Sequence, residues 1–140
     1  MINFLKIALP FFLILCSFSS CEKDEKIPKD IYNRWEIVDF MSIESVAYPK
    51  NNDYNPIIQF NKDGSYLLQL DVNNCNGNFT LSGENEITLT TSVCTYVCCD
   101  SDFSEKIQEM LQHVHSYSIE KNKLELNIED WGWINFELYN

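Results

Sequence analysis

Residues 57–72 read IIQFNKDGSYLLQLDV, and the class of fold turns on them. Ile58 and Phe60 face one way, Asp63-Gly64 interrupts the run, and Tyr66, Leu68, Leu70 and Val72 return on one face. Alternating apolar residues on either side of an Asp-Gly pair predict two antiparallel strands joined by a tight turn, each with one face in a core. Asp63 and Gly64 are turn residues and not a calcium loop, whose D-x-D-x-D-G spacing is absent.

The pattern extends in both directions. Upstream, RWEIVDFMSIES (34–45) predicts a first strand starting near Trp35, followed by a polar loop, VAYPKNNDYNP (46–56). Downstream, NGNFTL, a turn at SGEN and EITLTT predict a second hairpin with Ile87 and Leu89 inward. SDFSEKIQEMLQHV (101–114) is the one helical stretch: Ser101 or Asp102 can cap it, and Phe103, Ile107, Leu111 and Val114 recur on one face. The remainder, HSYSIEKNKLELNIEDWGWINFELY, is a three-strand meander in which Leu124, Leu126 and Ile128 alternate with Lys123, Glu125 and Asn127. Its last strand carries Ile134, Phe136 and Leu138 on one face. About seven or eight antiparallel strands and one helix make an α+β domain, a curled sheet with the helix packed on its open side.

The N-terminus has the order of a secretory signal peptide: Lys6, an apolar run from Ile7 to Leu15, Ser19 and Ser20, then Cys21. Pro10 interrupts the run, which falls short of the about 20 apolar residues that cross a membrane. Cleavage after Ser20 leaves Cys21 first, and FSSC resembles a bacterial lipobox, whose cysteine is acylated; Cys16, after the bulky Leu15, is the poorer candidate. Residues 1–20 are thus read as signal peptide, 21–30 as a lipidated N-terminus with an acidic linker, and 31–140 as one domain. Lys23, Asp24 and Glu25 resemble the signal that flips some lipoproteins to the cell surface, which places the protein on the outer membrane, surface-exposed, with the periplasmic face as the alternative.

Removal of residues 1–20 takes Lys6 with it and leaves 21 acids against 9 bases, a net charge of -12. Such a surface repels phosphates, which disfavours nucleic acid as a partner. Four cysteines stay in the domain, Cys75, Cys94, Cys98 and Cys99, an even number for an oxidising compartment. A bond between the neighbours Cys98 and Cys99 closes a small ring that usually demands a distorted or cis peptide, at about 3 kcal/mol for the cis form, and is set aside. The other two pairings stay open. Cys94, Cys98 and Cys99 with His113 and His115 have the chemistry of zinc ligands, yet no C-x₂-C pair with a distant mate is present, and exported thiols usually oxidise first. Structural disulfides are expected, with no metal or other cofactor.

Trp35, IIQFNKDGSY, CNGNF (75–79), TYVCC (95–99), an immediate helix, YSIEKNKLEL and a final INFELY together resemble the META domain, or HslJ-like domain, of bacterial envelope lipoproteins. In that family a Cys-Asn pair leads to a Gly-x-aromatic strand, matched by Cys75-Asn76, Gly77 and Phe79. A Thr-x-x-Ala-Cys segment precedes the helix there, matched by Thr95 and Cys99. Two departures stand out: Gly77 follows Asn76 without a spacer, and Cys98 occupies the small-residue position. The resemblance implies a half-barrel fold, an envelope location, no catalytic residue, and a disulfide from Cys75 to Cys99, which leaves Cys94 to Cys98. The rival fold is a small lipocalin-like barrel, whose first strand also carries a Trp.

The signatures G-x-S-x-G, S-x-x-K, the P-loop and the zincin helix are read as absent, and the chain as a non-enzyme. The expected role is binding, interaction or stress protection on a lipid tether; the alternative is a carrier of a small apolar ligand. Trp131 and Trp133 of DWGWINF form an interaction strip opposite Ile134 and Phe136, suited to a protein or glycan, unless a second small core or the N-terminal segment covers them. Cys21→Ala is expected to abolish palmitate labelling and globomycin-sensitive maturation, whereas Cys16→Ala leaves both intact; labelling that survives the loss of Cys21 would refute the assignment.

Overall fold

The computed structural model describes residues 30–51, 53–90 and 92–140. The signal peptide, Cys21 and the charges at 23–25 lie outside the described residues. The opening hairpin forms as its alternation predicts. β2 (Ile57–Phe60) and β3 (Ser65–Gln69) pair antiparallel with Ile58 opposite Leu68 and Phe60 opposite Tyr66. Asp63 Oδ1 closes the turn by accepting from the Ser65 backbone N–H at 2.9 Å. Val72 departs from the prediction and is 42% exposed, because the strand ends at Gln69 and Leu70 N donates to Asn73 O as the chain turns.

The other strands are β1 (Arg34–Ser42), β4 (Asn74–Ser82), β5 (Glu86–Leu89), β6 (Val93–Cys94), β7 (Val114–Glu120), β8 (Lys123–Ile128) and β9 (Gly132–Leu138). The helix, α1 (Asp102–Leu111), separates β6 from β7. Ser101 is its N-cap, accepting from Ser104 N at 3.3 Å, and the helix ends before Val114, which begins β7 and is buried there. The curled sheet closes on itself in the order β1-β2-β3-β4-β5-β7-β8-β9, with the first and last strands paired and β6 lying outside on β4.

An eight-stranded barrel is just wide enough for side chains to fill it. Trp35, Ile37, Ile58, Leu68, Ile87, Leu126 and Ile134 are fully buried. Phe60 and Phe79 pack edge to face at 5.0 Å, and α1 adds Phe103, Ile107, Met110 and Leu111 to the same cluster. Trp35 buries its polar atom without penalty, since its Nε1–H donates to Ile31 O at 2.9 Å. Gly77 lies under the ring of Tyr66, its cross-strand partner, where any Cβ would strike the ring. The Tyr66 hydroxyl then reaches Thr90 O at 2.9 Å.

The cysteine pairing differs from the expectation. Cys75 is joined to Cys94, and Cys98 to Cys99 across a cis peptide, instead of Cys75 to Cys99 and Cys94 to Cys98. Strand register is the reason. β6 runs antiparallel to β4 with Cys94 directly opposite Cys75, so the ladder itself brings these two together. Once Cys94 is taken, Cys98 and Cys99 are the two cysteines left among the described residues, both exposed on the loop that leads to α1. That loop is fixed by Asn73, whose Oδ1 accepts from Val97 N and Thr95 Oγ1 and whose Nδ2 donates to Val97 O and Asp100 Oδ2. Asp100 Oδ1 in turn accepts from the backbone N–H groups of Val72 and Asn73. Peptide mapping of the oxidised protein is expected to yield a 75–94 cross-link, and replacing both residues by Ala to cost about 3 kcal/mol for a loop of this size; a 75–99 cross-link would overturn the register.

Candidate functional site

Side chains that do not point into the barrel face solvent, and the register of four neighbouring strands arranges them in rows. The row nearest the C-terminal end of β1 is Met41, Trp133, Asn127 and Ser116, on β1, β9, β8 and β7 in turn. The next is Asp39, Asn135, Glu125 and Ser118, with Asn135 Nδ2 donating to Asp39 Oδ1 at 2.7 Å. The third contains Glu36, Glu137, Lys123 and Glu120.

Met41 reaches this face through a bulge. The β1–β9 register shifts between Ile37 and Asp39, so Val38 is accommodated as an extra residue and the inward position passes to Phe40. Met41 is left 52% exposed beside Trp133 at 38%, and Ile43 just beyond is 73% exposed. Together with His115, Asp130 and Trp131 they line an open groove of about 660 Å³, mostly apolar. Gly132 permits the close approach of β1 and β9 beneath it: its φ is +147°, and a Cβ there would collide with the Met41 carbonyl.

The two predicted tryptophans reach one groove in different settings. Trp133 stands on the outer face of β9. Trp131 belongs to the β8–β9 turn, where its N–H donates to Ile128 O and its carbonyl accepts from Ile43 N. Its ring packs against the end of α1, with the His113 ring at 4.9 Å and the Lys106 ammonium 4.7 Å from its centroid. Lys106 is buried, 4% exposed, and donates to Glu44 at 2.7 Å and Glu109 at 2.9 Å. It ties the β1–β2 loop, the helix and the Trp131 turn together. Sequence reading passed over Met41, Ile43 and Lys106. The signal for Lys106 was its place on the apolar side of the helix between Phe103 and Ile107.

The other candidates lie apart. Cys94 is held by Cys75, His115 sits on the groove rim, and no group of three or more His, Cys, Asp or Glu among the described residues is placed to hold a metal. Contrary to the expectation that Ser-x-x-Lys is absent, Ser118 and Lys121 have that spacing, the one found in penicillin-recognising enzymes. Here it spans the end of β7 and a turn instead of opening a helix.

Burial alone would lower the Lys106 pKa, but the hydrogen bonds to Glu44 and Glu109 outweigh it and the net shift is upward. The Glu44 carboxyl is held low by Lys106 first and by the Tyr48 hydroxyl second. The Glu44 contribution to stability is therefore present above the ordinary glutamate pKa and is lost as pH falls through its lowered value. The Lys106 contribution is complete below the ordinary lysine pKa and is lost as pH rises through its raised value. Lys106→Met should lower Tm by a few degrees at neutral pH, with the gap to wild type narrowing at both extremes; a gap independent of pH would mean that packing alone is involved.

A family model for the META domain matches residues 29–137. Two solved structures share the fold. A DUF4847 family protein from Bacteroides vulgatus is 18% identical, with a TM-score of 0.58 over 76% of this chain and 92% of that one. A protein from Burkholderia xenovorans is 12% identical, with a TM-score of 0.63 over 78% of this chain and 83% of that one. No curated protein sequence matches the chain.

Proposed function

The chain belongs to the META domain family, and from that premise we propose that it is a non-enzymatic binding module held on the bacterial outer membrane by lipid on Cys21, with the Met41–Trp133 groove as its binding face. The observation that carries this reading is the position of the groove. The described chain begins at the end of the barrel where Arg34 O accepts from Tyr139 N, and the groove lies at the other end of β1, about 25 Å away at strand rise. A tether leaving the first end turns the aromatic groove toward whatever approaches from outside.

The filled interior favours this reading over the carrier. Trp35, Phe60 and Phe136 occupy the volume that a lipocalin keeps for its ligand, so binding falls to the outer surface. Exposed Trp and Met on a rigid strand suit a binding face, because they offer large apolar contact at small entropic cost, and Trp is the residue most often found at binding hot spots.

An array of peptides and glycans probed with the purified protein tests this. Trp133→Ala is expected to weaken the retained ligands by tenfold or more, about 2 kcal/mol at a hot spot, with Tm unchanged because the side chain is outside the core. Binding that survives Trp133→Ala undiminished would remove the groove from the reading.

A further inference from the structure

On the premise that the groove is the binding face, we propose that its occupant is a cationic amphipathic peptide, lying along the sheet with apolar side chains on Met41 and Trp133 and basic ones over the carboxylates behind them. Two observations converge. The outer face changes character within one step along the strands: from Met41 and Trp133 to Asp39 and Glu125, and then to Glu137 and Glu120. These four acids meet one base, Lys123, a net charge of minus three, and among the described residues none of the four is in an ion pair. The acids line a separate hollow of about 280 Å³, one row along the same strands from the apolar groove.

An occupant that extends along the strands beyond the groove covers the hollow, and apolar atoms laid there would strip water from four carboxylates that share a single lysine. A neutral glycan would leave the field unused, and an anion would be repelled. Successive rows are about 7 Å apart, which is also the spacing of alternate side chains in an extended peptide. A chain carrying apolar and basic residues can therefore place each kind over its own row.

The test uses the purified full chain in phosphatidylcholine nanodiscs, with empty nanodiscs as the control for lipid uptake. Fluorescein-labelled peptides that carry Leu and then Lys at alternate positions, with Ser between (Lys-Leu), and versions with Glu in place of Lys (Glu-Leu) or Ser in place of Leu (Lys-Ser) are titrated and read by anisotropy. The Lys-Leu peptide is expected to bind, the Glu-Leu and Lys-Ser peptides at least about tenfold more weakly, and affinity to fall as salt rises from about 0.05 to about 0.3 M. Asp39→Asn with Glu125→Gln should reduce Lys-Leu affinity severalfold and flatten the salt dependence, with circular dichroism unchanged. Equal binding of Lys-Leu and Glu-Leu peptides, both lost in Trp133→Ala, would overturn the charge inference while leaving the groove. Binding indifferent to Trp133→Ala, or no binding at all, would overturn the peptide proposal. Uptake equal to that of empty nanodiscs would assign the peptide to lipid and overturn it as well.

Discussion

One extra residue in β1 sets what this barrel shows to solvent. Up to Ile37 the strand alternates in step with β9, Trp35 and Ile37 inward; after Val38 the phase is reversed, and Phe40 goes inward while Asp39 and Met41 go out. Without the bulge, a carboxylate and a methionine would enter the core at the place where Phe40 packs on Phe103 at 5.3 Å. A buried, unpaired Asp39 is costly enough to forbid that register. The bulge thus protects the core and creates the outer face in one move, and bulges are often found where a sheet re-aims a side chain next to a functional surface.

The groove also depends on what stands behind it. Lys106 is a charge in an apolar helix face, tolerable because two carboxylates and two aromatic rings surround it. Glu44 reaches it from the loop that follows β1, and Trp131 from the turn that precedes β9. The two strands that carry Met41 and Trp133 are therefore held at their groove ends by the same ammonium group. The rigidity required of a binding surface comes from a helix that does not itself line the groove.

Much of this could be read in the sequence where alternation is strict. The hairpin around Asp63-Gly64 and the meander through Leu124, Leu126 and Ile128 have unbroken period two, and both formed as predicted. The losses come from single-residue slips. Asp39 and Met41, on core parity in the sequence, were the trace of the bulge. The pairing of Phe79 with Leu89, continued without a slip, would set Cys75 opposite Val93; one inserted residue brings Cys94 there instead, and the disulfide follows. Trp131 and Trp133 share a parity, yet the strand begins between them at Gly132, so one ring goes to the helix and the other to solvent. A slip of one is invisible to composition and decisive for every side chain after it.

The seam between β1 and β9 joins Trp35 to Leu138 and Ser42 to Gly132, so the barrel is sealed by the two ends of the domain. A chain that lacks β9 cannot complete the cylinder. The local hairpins can form early, but the enclosing step waits for the last strand and bears the entropy of closing a loop of roughly a hundred residues. Until then the β9 side of Trp35, where Leu138 will pair, is open. Loss of the first residues of β1 or of the last residues of β9 would open the same seam from opposite sides.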